Sequence, residues 1–252
     1  MQRNVFLTTR VRRIAAAIVL LTGTGLAAAQ GAMQGVTQGV AQGVAQSVAA
    51  PAPSSADVAR FFRAVQLDDA ATVRKLLATG IAPNLVNPVG GEPGLVLAMR
   101  EGAMKVFEVL LAQPTVNLEA QAINGNTALM MAAYRHNGPA VDTLLARGAA
   151  VTQAGWTALH YAAAAGDDAI VRQLLQHGAA IDAASPRASG SFTPLMMAAR
   201  EGHDRTVQLL LQAGAATALR NGEGLDAAHI AERADKPRIA AAIRTHAAAQ
   251  GE

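Results

Sequence analysis

The sequence predicts an all-α solenoid of about six stacked helix-turn-helix units with hairpin-like finger loops between them. One seven-residue segment occurs at residues 127–133, 157–163 and 193–199, and a weaker copy of it occurs at residues 93–99. A Leu-Leu pair begins 15 residues after the leucine of each segment. These leucines, which are 34, 30 and 36 residues apart, are Leu95, Leu129, Leu159 and Leu195. A period of about 33 residues indicates repeats that bury their apolar faces only by stacking on their neighbours.

Residues 1–29 have the organisation of a cleavable secretory signal peptide. Four arginines precede an apolar run at residues 14–21, and alanines at 27–29 offer a cleavage site before Gln30. The alternative is an uncleaved membrane anchor, but a spanning helix needs ~20 apolar residues and this run is shorter. The pair Arg12-Arg13 gives only weak support to twin-arginine export. We therefore expect an exported protein.

The charge of the chain becomes nearly balanced once the signal peptide is removed. The loss of its four arginines reduces 21 basic residues to 17, against 18 acidic residues. A nucleic-acid-binding surface needs clustered lysines and arginines, and the remaining basic residues form no cluster along the sequence. Cysteine is absent, which excludes a lipid-modified cysteine and any disulfide. The sequence predicts neither nucleic-acid binding nor a membrane span after cleavage.

Residues 30–56 are of low complexity and are expected to form a disordered linker. Four-residue repeats such as Gln-Gly-Val-Ala lead into Pro51-Ala52-Pro53. A segment this rich in glycine and glutamine cannot bury enough side chain to offset the entropy of ordering its backbone. An adhesive interaction segment is the alternative.

Each repeated segment is predicted to start a first helix. A threonine hydroxyl can accept from the free N–H groups of the first turn, and Pro194 suits the first helical position. The shared leucine and the alanine pair that follows it lie on one face of the helix. The threonines are Thr127, Thr157 and Thr193. The glycines expected to end these helices in the left-handed conformation are Gly102, Gly166 and Gly202, with His136 in place of glycine in the third unit.

A second helix is predicted after each first helix, at residues 105–112, 139–147, 169–177 and 204–212. Glycine followed by two alanines ends three of these helices, at Gly148, Gly178 and Gly214. A similar ending at Gly80 indicates a first unit that starts at Asp57 without the threonine. Residues 221–246 form a degenerate last unit. Atypical terminal units are expected because each faces solvent on one side.

These segments resemble ankyrin repeats. Thr193-Pro194-Leu195 and Thr157-Ala158-Leu159-His160 are similar to the T-P-L-H-x-A pattern of that family. The resemblance covers residues 57–246, before a tail at 247–252. The finger between the third and fourth units is about three residues shorter than a 33-residue repeat implies, and the next is about three longer. The units lie near 57–89, 90–122, 123–152, 153–187, 188–220 and 221–246.

No residue pattern indicates an enzyme, a metal or a cofactor. The six histidines are spread over four units without the spacing of zinc ligands. The resemblance implies that His160 bonds to the backbone of a neighbouring loop. The acid pairs Asp68-Asp69 and Asp167-Asp168 suit the starts of second helices, where they complement the helix dipole. No nucleophile–base pair or phosphate-binding glycine motif is present.

The resemblance implies that a partner protein contacts loop tips and exposed first-helix positions on the concave face. Four of the eight aromatic residues map to this strip, together with arginines, and such residues carry much of the energy of interfaces. Leu97 and Ala165 map to it as well. The predicted partner-binding residues are Arg100, Glu101, Asn126, Met131, Tyr134, Arg135, Trp156, Tyr161, Phe192, Met197, Arg200 and Glu201.

Together these features predict a non-catalytic protein-binding module located in the periplasm, or secreted. The first hypothesis is a scaffold or protective partner for an envelope enzyme. The alternative is an inhibitor or immunity protein that blocks a toxin or an enzyme. A third hypothesis, an effector delivered to a host cell, fits poorly with a cleavable signal peptide.

Overall fold

The computed structural model describes residues 53–251, which form twelve α-helices and no β-strand. The predicted signal peptide and residues 30–52 of the predicted linker lie outside this range. The first helices of six pairs are α1 (Ser55–Gln66), α3 (Gly94–Glu101), α5 (Ala128–Tyr134), α7 (Ala158–Ala165), α9 (Pro194–Glu201) and α11 (Ala227–Arg233). The second helices are α2 (Ala70–Ala78), α4 (Met104–Leu111), α6 (Gly138–Ala146), α8 (Asp168–Gln176), α10 (Asp204–Gln212) and α12 (Pro237–Gln250). The predicted all-α repeat solenoid is confirmed.

The helices form two layers. Each first helix packs on the first helices of the neighbouring pairs, and most second helices pack on a neighbouring second helix. Three second helices begin and end one residue earlier than the sequence pattern predicts. In each of them the residue before the expected start is already helical. The last helix continues to Gln250, four residues beyond the predicted end of the domain.

The repeated leucines and alanines form the core between these layers. Leu159 and Leu195 are fully buried, and so are Ala132 and Ala162 on neighbouring first helices. Burial of a leucine side chain contributes about 1.5–3 kcal/mol relative to its exposure to water. The alanines permit close approach of adjacent helices, which is why the repeated segment pairs one large side chain with two small ones.

Threonine caps two of the three helices as predicted. The hydroxyl oxygens of Thr127 and Thr193 accept from the backbone N–H groups of Met130 and Met196. Thr157 differs, because its hydroxyl lies 2.9 Å from Nδ1 of His160. In the second unit Pro93 stands in place of the threonine and supplies no side-chain cap.

The residue that turns the chain from each first helix into its second has a positive φ in all six units. Glycine serves in three units, and His136 adopts the same conformation at φ 56°. Asp68 and Asp235 do so in the terminal units, at φ 54° and 58°. The carboxylate of Asp68 also accepts from the backbone N–H of Val106, 2.9 Å away in the next unit. The aspartate therefore links two units while it occupies a conformation that side chains disfavour.

Polar side chains at the bases of the fingers bind successive units together. The amide oxygen of Asn84 accepts from the backbone N–H of Asn117, 2.7 Å away. Carboxylate oxygens of Glu119 and Asp182 accept from backbone N–H groups in the following finger in the same way. Each bond crosses about one repeat length of sequence, so these contacts hold the spacing of the fingers.

Candidate functional site

Six of the predicted partner-binding residues come together around one recess of about 250 Å³. They belong to three consecutive units, because Tyr134 ends α5, Trp156 precedes α7, and the others lie on α7 and α9. His160 and Ala164 complete the lining. The six predicted residues are Tyr134, Trp156, Tyr161, Met197, Arg200 and Glu201.

The aromatic rings of the recess meet at steep angles around Tyr161. The ring centroids of Tyr134 and Tyr161 are 6.0 Å apart, and the ring planes make an angle of 86°. Trp156 lies 6.2 Å from Tyr161, at 60°. Edge-to-face contacts of this kind stabilise aromatic pairs by about 0.5–1.5 kcal/mol beyond the burial of their area. The rings therefore hold one another in place while part of their surface stays accessible, with Tyr134 52% exposed.

The recess exists because α7 carries alanine where neighbouring helices carry long side chains. Ala164 stands five residues after the repeated leucine of its unit, the position that Arg100 and Arg200 occupy in theirs. Tyr134 takes the same position in the third unit. The side chain of Ala164 is only half-buried, so nothing larger fills the space beside it.

Tyr161 is fixed by a hydrogen bond to the third unit. Its hydroxyl donates to the amide oxygen of Asn126, with 2.6 Å between the two oxygens. Burial raises the pKa of Tyr161 above its ordinary value of 10.0, so the phenol remains protonated near neutral pH. Asn126 is itself 8% exposed and supports the recess from behind.

His160 lies at the floor of the recess and is fully buried. Its Nδ1 accepts from the backbone N–H of Thr157, 3.2 Å away. This leaves the proton on Nε2, which donates to the carbonyl oxygen of Phe192 at 2.9 Å. Burial lowers the pKa of His160 below its ordinary value of 6.5, so the ring is neutral at pH 7. The expected bond to a neighbouring loop is present, and both nitrogens are engaged, so neither is free to act as a general base.

Arg200 and Glu201 form the charged rim of the recess. Nε and Nη2 of Arg200 each lie 2.9 Å from Oε1 of Glu201. The guanidinium carbon of Arg200 also lies 5.3 Å from the ring centroid of Phe192, which is within cation–π range. Both contacts with the carboxylate involve Oε1, which leaves Oε2 for a further donor.

The other predicted residues lie elsewhere or inside the fold. Arg100 pairs with Glu92 and Glu101 in the second unit, and Arg135 is an exposed neighbour of the recess. Four of the twelve residues are at most 9% exposed: Asn126, Met131, Phe192 and Met197. Met131 therefore lies inside the fold, whereas Met197, although only 7% exposed, still lines the recess. Leu97 is fully buried, because the side chain at this position points into the core.

Sequence reasoning missed two contributors to the recess. It assigned His160 a structural role only, although the ring also forms the floor. It passed over Ala164, whose importance is visible only when the units are aligned and the residue is compared with Arg100 and Arg200. A small residue at a position where other units carry a long side chain is the signal that could have identified the recess.

Metal-binding clusters and membrane-spanning helices are both absent from residues 53–251. These residues contain no group of three or more His, Cys, Asp or Glu side chains arranged to hold a metal ion. Within the same range, no helix has the length and apolar character needed to cross a membrane.

Comparison with known proteins identifies the repeats. A family model described as "Ankyrin repeats (3 copies)" matches three overlapping segments, residues 61–154, 95–185 and 140–221. Together the matches cover more than half of the chain. The chain belongs to the ankyrin-repeat family, whose members are typically protein-interaction modules without catalytic activity.

Two curated relatives share part of the chain. The human transient receptor potential cation channel subfamily A member 1 is 31% identical over 118 residues, which are 46% of this chain and 10% of the channel. The mouse RelA-associated inhibitor is 52% identical over 60 residues, which are 23% of this chain and 7% of the inhibitor. The chain thus matches a tenth or less of the length of each relative.

Proposed function

We propose that this protein acts in the periplasm by binding a dedicated partner protein at the recess between α5, α7 and α9. The observation that supports the proposal most directly is the convergence of Tyr134, Trp156 and Tyr161, from two consecutive units, on one open recess. Aromatic and arginine side chains in a partly enclosed site are the usual energetic centres of protein interfaces.

The architecture favours binding over catalysis. The stack presents rigid helices, and the recess contains no nucleophile with a free base beside it. A pre-organised surface loses little conformational entropy on association, which benefits affinity. The role of scaffold or protective partner for an envelope enzyme follows from this reading as our first hypothesis.

An inhibitor or immunity role is the second candidate. One relative, the mouse RelA-associated inhibitor, is by its name an inhibitor that associates with another protein. A recess with an aromatic wall and a charged rim suits occlusion of a partner's active site as well as scaffolding. The two roles differ in the activity of the bound enzyme, which inhibition lowers and protection preserves.

The periplasmic location rests on the signal-peptide pattern of residues 1–29. Cell fractionation followed by mass analysis of the mature N-terminus tests it. We expect a periplasmic form that begins at Gln30. A form that retains Met1 in the membrane fraction would support the anchor alternative instead.

The binding proposal is tested by affinity purification of the tagged mature protein from a periplasmic extract, with quantitative mass spectrometry. Wild type is compared with a Tyr134→Ala/Arg200→Ala double variant and with Glu108→Gln, an exposed carboxylate on α4. We expect one stoichiometric protein with wild type and Glu108→Gln that is lost from the double variant. The double variant also loses the ring contact of Tyr134, so its melting temperature should fall by no more than about 2–4 °C. A partner retained by the double variant would exclude the recess. The absence of any specific protein would contradict a dedicated periplasmic partner.

A further inference from the structure

We infer that the recess receives a cationic side chain, an arginine or a lysine, from the partner protein. This inference rests on the proposed function, because it assumes that the recess is the partner site. It assigns the chemistry of the occupant from the rings, the rim carboxylate and the free space of the recess.

The arrangement of the rings suits a cation. The faces of tryptophan and tyrosine rings attract a positive charge within about 6 Å of the ring centroid. Tyr134 and Trp156 meet Tyr161 at steep angles, so the rings present differently directed surfaces around one space. A single cationic group in that space can approach more than one ring, which flat stacking of parallel rings would not allow.

The lining carries one positive and one negative side chain, and the carboxylate keeps one oxygen that can receive a further cation. Oε2 of Glu201 remains available, since both contacts from Arg200 go to Oε1. His160 carries no charge at pH 7, because its Nδ1 accepts a hydrogen bond and its burial favours the neutral ring. Tyr161 is a neutral phenol, because burial raises its pKa. Arg200 is the one cation in the lining, and the carboxylate beside it balances its charge.

Arg200 is also an internal example of the interaction that we infer. Its guanidinium lies 5.3 Å from the ring of Phe192 and pairs with Glu201. The occupant would meet the same two kinds of group, an aromatic face and the other oxygen of the same carboxylate.

The size and apolar lining of the recess fit one long side chain. Its volume of about 250 Å³ is smaller than a typical site for a drug-sized ligand. Ala164 and Met197 offer apolar surface for the methylene stem of an arginine or lysine, whose charged end then reaches the rim.

The test is an NMR titration of the mature protein that follows the indole N–H of Trp156, the single tryptophan of the chain. The probes are N-acetyl-arginine N-methylamide and its neutral isostere, the corresponding citrulline derivative, at matched ionic strength. N-acetyl-norleucine N-methylamide serves as the apolar comparison. We expect a saturable shift with the arginine probe and a much weaker one with the neutral probes. Equal shifts with citrulline or norleucine would overturn the inference, and so would no shift with any probe.

Two variants locate the effect. Glu201→Gln keeps the shape of the rim but removes the free carboxylate oxygen. It should weaken the binding of the arginine probe by roughly three- to tenfold. Glu108→Gln removes another exposed carboxylate, far from Glu201 along the sequence, and should leave the titration unchanged. Equal binding by Glu201→Gln and wild type would show that the carboxylate does not select the charge.

Failure of this inference is distinguishable from failure of the proposed function. If the partner is captured by wild type and lost from the double variant while the arginine probe gives no shift, the recess binds a partner through another kind of side chain. If the arginine probe binds and no partner is captured, the chemistry of the recess stands without a dedicated periplasmic partner.

Discussion

His160 Nε2 lies 2.9 Å from the carbonyl oxygen of Phe192, and this bond joins α7 to the finger that leads into α9. The same ring accepts from the backbone N–H of Thr157 through Nδ1. One buried imidazole therefore connects the start of its own helix to the next unit, directly beneath the recess.

The stability of the protein should depend on pH through His160. Burial lowers the pKa of the folded ring below 6.5, so the unfolded chain binds more protons as the pH drops below that value. The free energy of unfolding is then highest above pH 6.5 and falls as the pH decreases. Urea denaturation at about pH 7.5 and about pH 5.5 measures this fall. A His160→Gln variant should be about 1–3 kcal/mol less stable at the higher pH and show a smaller fall. An unchanged fall would assign the pH dependence to other groups.

Two of the three non-glycine turn residues, His136 and Asp68, should respond oppositely to replacement by glycine. His136→Gly removes a side chain from a residue whose backbone is left-handed, and it loses only an exposed contact with Asp167. We therefore expect the free energy of unfolding to rise by about 0.5–1 kcal/mol. Asp68→Gly relieves the same conformation but loses the bond to the backbone N–H of Val106, so we expect a net loss of up to about 1 kcal/mol. Urea denaturation of both variants measures the two changes in the free energy of unfolding. Changes of the same sign would refute the linking role of Asp68.

Two glycines with the same φ of 74° allow backbone strain to be separated from steric overlap. A Cβ at Gly102 meets nothing within 4 Å, whereas one at Gly166 would overlap the imidazole of His203. Gly102→Ala should cost about 1–2 kcal/mol from the conformation alone. Gly166→Ala should cost more, because the ring must move away from the carbonyl oxygen of Ala164, which its Nε2 contacts at 2.9 Å. Equal melting temperatures for the two variants would show that the ring moves freely.

Filling the recess should leave the fold intact. Ala164→Arg introduces the arginine that the second and fifth units carry at the equivalent position. In α7 this position is half-buried. Arginine is a good helix former, so we expect a change in unfolding free energy within about 0.5 kcal/mol. Leu159→Ala, one turn away in the core, should cost about 2–5 kcal/mol by contrast. A comparable loss in Ala164→Arg, measured by urea denaturation, would show that the recess is part of the packing.

Much of the fold follows from local patterns in the sequence. A threonine, followed by apolar residues at helical spacing and then by a glycine, predicts where a helix begins and ends. This works because capping and helical spacing involve only a few neighbouring residues. The left-handed conformation of Asp68 and Asp235 could not be predicted in this way, since an aspartate in a left-handed turn has no distinctive neighbours in the sequence. Repeat spacing placed them only once the structure was known.

The recess could be predicted only in part. Tyr134, Trp156 and Tyr161 were assigned to one strip because the repeat pattern maps residues to equivalent positions. The burial of Met131 and Met197 was not foreseen, because it depends on how closely adjacent first helices approach. The bond from Tyr161 to Asn126 spans 35 residues, a separation at which sequence alone indicates no contact.

The central claim, that a partner protein binds at this recess, is tested most directly by the fluorescence of Trp156 during titration with the purified partner. We predict a saturable change in emission with wild type and with Glu108→Gln, and no change with Ala164→Arg at the same concentrations. Binding of the partner to Ala164→Arg with wild-type affinity, detected by calorimetry, would contradict the account and place the interface elsewhere on the stack.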